Sequence, residues 1–577
     1  MADGAIAPAS WIESGAMLFD AVLLKTFIAS ICSSRPPRCA SRPENRRAAG
    51  GRTAAGESFV GKTCVGRRAL AIALAAALFA FGAAASLVHA DEAVPPTPPQ
   101  QKAAAEPAPS QATTPPHPLP APATTQHVVD LPGRSLHFHA IAGAIRLSDA
   151  QSGEPQADIA YVAFLLDGAD PATRPISFVV NGGPGAASGW LNLGAMGPWR
   201  LNFGSPPYSP SAPAIPIDNA ETWLDFTDLV FIDPPGTGYS RILAKGDGPR
   251  RHFYSVDGDI EALAVVIRKW LAENKRLESP KFIVGESYGG FRAPKLARRL
   301  QDQEGVGVSG IVMISPVIDF SWFEGANNPL AFATRLPSQT AAARGLEGAD
   351  ARDKLADVEA YAAGPYLTDL LRGERDPAAL ERISEAVARY TGLDPAFVRR
   401  LGGRIDPASF ARERDRAEGK VSSLYDAGVT GFDPSPHAAS SEYSDPVLDA
   451  VKTPLASAMA DLTGNRLGWP VDARYEILNE AVSRQWDWDG GKSKTQALSD
   501  LKQALALDPR FRVLVAHGLS DQVTPYFASK LLIDQIPPMG DTARVRLKVY
   551  GGGHMLYLHD ASRAALREDA RQLIEGK

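Results

Sequence analysis

A series of short apolar runs, each breaking off into glycine or polar residues, confines this chain to a narrow set of folds. Ile176–Val180 runs into Asn181-Gly182-Gly183, Leu229–Ile232 into Asp233, and Phe282–Val284 into Gly285; Ile311–Ile314 and Val513–Ala516 repeat the plan. Continuous apolar runs of this length read as parallel strands buried on both faces, and in open α/β sheets the functional loops lie at their carboxyl ends. Helical patterns separate several of them, at Ile260–Leu271, Pro294–Leu300 and Tyr526–Ile533, and shorter strand-like pieces precede them at Leu136–Ala140, Ile145–Leu147 and Ala160–Leu166. A mostly parallel α/β sheet is expected. From about 323 to 506 the pattern turns helical, rich in Ala, Arg, Asp and Leu, before the chain returns to strands. That segment is expected to be a helical insertion between two parts of one core, 126–322 and 507–577, lying over the strand ends as a lid.

The first ninety residues read as an N-terminal extension and an export signal. Arg67-Arg68 precede the nearly uncharged stretch Ala69–Leu87, which closes on Val88-His89-Ala90 before Asp91-Glu92. A basic start, an apolar middle and a small-residue end are the marks of a secretory signal peptide. An uncleaved anchor is the other reading, since the run approaches the ~20 residues of a membrane span; its many alanines favour cleavage. The signal lies far into the chain, which is expected if translation starts near Val60 rather than at Met1. Cys32, Cys39 and Cys64 all precede the expected cleavage point, so no disulfide is expected in an exported, periplasmic or secreted form. Residues 91–125 are rich in Pro, Ala, Thr and Gln and read as a disordered tether. The whole chain carries a formal charge of −5, and ten basic against five acidic side chains precede residue 91, leaving about −10 beyond it. Such a balance provides no footprint for nucleic acid, and no integral membrane domain is expected once the signal is removed.

Gly285-Glu286-Ser287-Tyr288-Gly289 has the G-x-S-x-G spacing between a strand and a helix. Small neighbours let strand and helix approach, and the tight turn lifts the serine hydroxyl above the sheet edge. The spacing alone is weak in a chain with 51 glycines; its strand–turn–helix setting gives it weight. A serine hydroxyl needs a base, and the base needs an orienting acid. Both follow in the chain order Ser287, Asp521, His554, each after a strand: Val513–Ala516 leads into His517-Gly518-Leu519-Ser520-Asp521, and Val545–Tyr550 into Gly551-Gly552-Gly553-His554. His554 is expected as general base and Asp521 as its orienter; His517 is the rival histidine, but it precedes the acid. Gly183 N–H and Tyr288 N–H are expected to form the oxyanion hole, because glycine lets the backbone approach a developing charge without obstruction. His137 and His139 share a strand face without an evident third ligand, so no metal and no cofactor are expected. Asp233 is expected to fix its own loop, and the tryptophans to fill core more than cleft.

Asn181–Gly185, Asp233-Pro234-Pro235-Gly236-Thr237-Gly238-Tyr239-Ser240, Gly285–Gly289 and Gly552-Gly553-His554-Met555, in that order, resemble the serine carboxypeptidase family, particularly its bacterial branch. The resemblance spans about residues 130–577. It implies an α/β-hydrolase fold with a helical insertion, a Ser/Asp/His triad and removal of C-terminal residues from peptide substrates. It also implies that Asn181, Gly182 and Glu286 bind the substrate's terminal carboxylate. The family's oxyanion block continues with Cys-Ser-Ser where this chain has Ala186-Ala187-Ser188, and its second carboxylate-binding Glu aligns with Ala195. With Glu286 alone, a weaker grip on a free carboxylate and a less acidic optimum are expected. Arg292 is a candidate replacement by ion pairing, with a solvated helix arginine as the plainer reading. An esterase or acyltransferase of the same fold is the alternative function, and a catalytically silent peptide-binding protein a more distant one. Oligomeric state and side-chain preference are not legible.

Overall fold

The computed structural model describes residues 118–348 and 350–577. The expected leader, the three cysteines and the tether up to residue 117 lie outside them. Nine strands follow one another across a mixed sheet: β1 (Ala123–Leu131), β2 (Arg134–Ser148), β3 (Pro155–Leu166), β4 (Ile176–Val180), β5 (Asp228–Ile232), β6 (Lys281–Glu286), β7 (Gly310–Ile314), β8 (Arg512–Gly518) and β9 (Val545–Tyr550). Their spatial order is β1-β2-β3-β5-β4-β6-β7-β8-β9, with a tenth, two-residue strand, Arg241–Ile242, on β3. From β5 to β9 all neighbours run parallel, while β1, β2 and β3 form an antiparallel edge joined to β5. The exchanged order of β4 and β5 and the antiparallel β3 give the strand plan of an α/β-hydrolase.

Strands β4 to β8 are where the apolar runs placed them, because each is buried on both faces. Along β7, Val312 and Ile314 enter the apolar cluster on one side of the sheet and Ile311 and Met313 that on the other. Each such side chain contributes about 1.5–3 kcal/mol of burial. The antiparallel edge departs from expectation. Leu136–Ala140 and Ile145–Leu147 belong to one continuous strand, since the weakly apolar Ala142-Gly143-Ala144 between them is held by pairing with β3, and Ala142 by pairing with β1 as well. Strand β1 begins at Ala123, inside the segment expected to be tether.

Helices flank the sheet. Helix α1 (Val256–Glu273) is capped by Ser255, whose Oγ accepts from Gly258 N–H at 3.1 Å. Helix α2 (Tyr288–Gln303) starts at the turn after β6, well before the expected Pro294; Gly289, Gly290 and Pro294 weaken its propensity, and packing against the sheet overrides that. Between β7 and β8 the chain passes through α3 (Pro329–Ala343), α4 (Pro377–Thr391), α5 (Leu448–Asp461) and α6 (Leu498–Leu507), with several helices of one or two turns and a two-stranded ribbon, Lys420–Ser422 with Thr430–Phe432, between them. Asn328 and Asp376 cap α3 and α4, each followed by proline at the first helical position, and Gly392 ends α4 in the left-handed conformation. This segment has its own apolar cluster, including Leu336, Ile383 and Phe410, which takes in Tyr526 and Phe527 of α7 (Tyr526–Ile533). Helix α8 (Asp560–Glu575) closes the chain. Among the described residues no helix is long and apolar enough to cross a membrane.

Candidate active site

Strand β6 stops at Glu286, and Ser287 takes φ 59° and ψ −120°, a conformation that side chains rarely adopt. Its N–H donates to Ile314 O at 2.9 Å, tying the turn to β7. A Cβ at Gly285 would lie 2.0 Å from Gly289 O, and one at Gly289 2.3 Å from Val180 O, so both glycines of the motif are demanded by close approach. The register Val180↔Gly285 between β4 and β6 then sets Asn181 beside Glu286. Gly182 is pressed against the same turn: a Cβ there would lie 2.5 Å from Tyr288 N. Gly183 and Tyr288 thus belong to two backbone segments in contact beside Ser287. The Tyr288 ring is buried, stacked on Phe291 at 4.9 Å and edge-on to Trp486 and Trp488.

Strands β8 and β9 run parallel with Gly518 opposite Tyr550, which places the two loops after them side by side. Asp521 and His554 meet there, with Asp521 Oδ2 2.8 Å from His554 Nδ1 and both side chains buried. Asp521 also accepts from Val523 N–H, Thr524 N–H and Thr524 Oγ1 at 2.8, 2.9 and 2.7 Å. Burial pushes the Asp521 carboxyl up, but the His554 charge and the bonds from His554 and Thr524 outweigh it and hold it below the ordinary value. Burial likewise pushes His554 down, and the Asp521 charge and hydrogen bond, with Glu286 further off, prevail and raise it. Ser287 and His554 line one cavity of ≈ 110 Å³, together with Asn181, Gly182, Gly183, Glu286 and an apolar wall that includes Trp190, Val523 and Met555.

The insertion supplies part of that wall. Tyr425, Leu448 and Leu478 face the cavity, Tyr425 O accepts from His554 N–H at 2.5 Å, and its ring stands edge-on to the imidazole at 5.3 Å. Asp426 next to it accepts from Ser520 Oγ at 2.6 Å and pairs with His559 Nε2 at 2.8 Å.

Glu286 is buried, its Oε2 accepting from Asn181 Nδ2 at 2.5 Å, and Tyr557 donates its hydroxyl to the carboxyl at 3.0–3.1 Å. Burial pushes this carboxyl up to about 7, against the pull of His554, Tyr557 and Asn181. Ala195 lies buried in the turn Asn192–Met196, where its carbonyl accepts from Asn219 Nδ2. The same turn packs on Tyr557: a Cβ at Gly194 would lie 2.8 Å from the Tyr557 ring.

Three other sequence expectations resolve into structural roles. Arg292 is neither solvated nor aimed at the cavity; it is 1% exposed, pairs with Asp259 at 2.6 Å and donates to Asn181 O. His517 is buried behind the site, its Nε2 2.8 Å from Ser529 Oγ, and burial pushes it down to about 4. Asp233 accepts from Ser188 N–H and Tyr475 hydroxyl, fixing its loop as expected, with burial raising it to about 7. Sequence reasoning missed Thr524, Tyr425 and Tyr557. An acid followed three positions on by threonine is a local turn signal by which Thr524 could have been found; nothing local marked the other two.

The serine carboxypeptidase family model matches residues 150–334. That segment contains Asn181–Gly185 and Gly285–Gly289 and ends before Asp521 and His554. Serine carboxypeptidase-like 16 of Arabidopsis thaliana is 26% identical over 176 residues, covering 29% of this chain and 39% of its own length. The pheromone-processing carboxypeptidase kex1 of Schizosaccharomyces pombe is 30% identical over 136 residues, 23% of this chain and 24% of that protein. The chain therefore spans about two-fifths or less of the length of these relatives. Among solved structures, a prohormone-processing carboxypeptidase from Saccharomyces cerevisiae superposes with a TM-score of 0.48 at 14% identity, covering 76% of this chain and 91% of that one.

Proposed function

We propose that this protein is an exported serine carboxypeptidase-like peptidase of the bacterial branch. Ser287 Oγ gives its proton to His554 Nε2 and attacks the carbonyl of the last peptide bond, while Gly183 N–H and Tyr288 N–H hold the oxyanion. His554 passes the proton to the leaving amine, releasing the C-terminal amino acid and leaving an acyl-enzyme that water then hydrolyses. Asp521 keeps the proton on Nδ1, so that Nε2 faces Ser287, and Thr524 braces the acid. Asn181, Gly182 and Glu286 read the terminal carboxylate.

The observation that carries this reading is the cavity itself, which Ser287, the Asp521-paired His554, Asn181 and the buried Glu286 line together. Export rests on the signal-like stretch before residue 90, and the bacterial placing on the four motif blocks. The second reading, an esterase or acyltransferase, is favoured by Ala195, which leaves Glu286 without a second carboxyl.

The test uses residues 91–577 and Ser287→Ala, assayed on a blocked dipeptide, its C-terminal amide and an activated ester. Cleavage of the free acid in preference to the amide, falling by about 10⁴–10⁶ in the variant, is expected. Ester turnover without peptide cleavage would move the protein to the second reading.

A further inference from the structure

Among the described residues, no Lys or Arg side chain lines the cavity. With His554 neutral, as the catalytic step requires, a substrate carboxylate entering it is met by uncharged hydrogen-bond donors, and Glu286 is a donor only while it holds its proton. Whatever sets that proton sets which substrates the cavity accepts. Four titratable groups besides Glu286 bear on it: His554 and Asp521 from the loops after β9 and β8, Tyr425 from the insertion, and Tyr557 from the turn Leu556–Leu558. Tyr557 alone of these bonds Glu286 directly, reaching both carboxyl oxygens. Its ring is buried and backed by the Gly194 turn, so the hydroxyl cannot swing away.

Resting on the reading of Glu286 as the carboxylate reader, we propose that Tyr557 is its positioning residue, orienting the Glu286 carboxyl and setting the upper pH limit at which the cavity accepts a substrate with a free C-terminal carboxylate. A phenol donating to a carboxyl favours the ionised form, the opposite of what a second carboxyl does by sharing a proton. Tyr557 thus occupies the side of Glu286 bordered by the turn that carries Ala195, and it reverses the electrostatic effect that an acid would have there.

The test compares kcat/KM against pH for the blocked dipeptide acid and its amide in three forms: Tyr557→Phe, Tyr557→3-fluorotyrosine, whose hydroxyl is a stronger donor, and Glu286→Gln. Tyr557→Phe is expected to move the alkaline limb of the free-acid profile up by about one unit, and 3-fluorotyrosine to move it down, with the amide profile keeping its alkaline plateau in both. Equal changes on acid and amide, or no movement in either form while Glu286→Gln removes the alkaline limb, overturn the role of Tyr557 alone. Because glutamine donates at every pH, Glu286→Gln is expected to keep the acid preference and lose the alkaline limb of the free-acid profile, and an alkaline limb that persists unchanged in that variant overturns the reading of Glu286 itself. Should Tyr557→Phe not accumulate folded, the 3-fluorotyrosine form decides, since it keeps the ring and its bond.

Discussion

Ser287 is held in a backbone conformation that costs about 1–3 kcal/mol, and the sheet around it supplies the restraint: Ile314 O on one side, Gly182 and Val180 on the other. The same economy of space governs protons. His554 is raised above the ordinary 6.5 by Asp521, and it must be neutral to accept a proton from Ser287. Turnover of a neutral ester or amide is accordingly expected to rise with pH through a value above 6.5 and then level. The free-acid peptide adds a second requirement, a protonated Glu286, whose carboxyl burial pushes to about 7. Its profile is expected to be a narrow bell near neutrality, reporting the coupled His554–Glu286 pair rather than either group. A free-acid optimum near pH 4, or superimposable profiles for acid and ester, would contradict this assignment.

At the scale of elements, the turn between β6 and α2 depends on an ion pair that sequence alone read differently. Arg292 and Asp259 are 1% and 0% exposed, and they tie α2 to α1 while Arg292 also donates to Asn181 O at the end of β4. The pair buries two charges, so its net stabilisation is small, but removing one partner strands the other. Asp259→Ala is expected to destabilise the protein by roughly 3–5 kcal/mol in urea unfolding, and Asp259→Leu combined with Arg292→Met to recover most of that loss. A cost below about 1 kcal/mol for the single variant would show that Arg292 finds water or another partner.

Across the whole molecule, the helical insertion is tied to the loops that carry Asp521 and His554. Tyr425 O holds His554 N–H, Leu424 O holds Gln522 N–H, and Asp426 bridges Ser520 and His559. The hydrogen bond to Asp426 raises His559 above its ordinary 6.5. For a base so raised, the stabilisation is complete below 6.5 and fades as pH climbs through the higher folded value. The protection of residues 423–427 against hydrogen exchange, taken relative to the intrinsic exchange rate at each pH, is therefore expected to be greatest in mild acid and to fall on the alkaline side, with Asp426→Asn removing that fall. Uniform protection across that range in the native protein would sever the link between His559 and the insertion.

What the sequence determined by itself was local or periodic. Apolar runs buried on both faces marked β4 to β8, because two-sided burial leaves few polar positions in a strand. The order Ser287, Asp521, His554 was legible because each follows a strand, and strand ends converge at one sheet edge. The tertiary structure alone decided what lies between distant segments. Leu136–Ala140 and Ile145–Leu147 fused into one strand through continuous pairing with β3, Arg292 was drawn into the interior by Asp259, and Tyr557 came to rest on Glu286. Those outcomes depend on buried polar groups finding partners far away in the chain, a requirement of desolvation that no local pattern encodes.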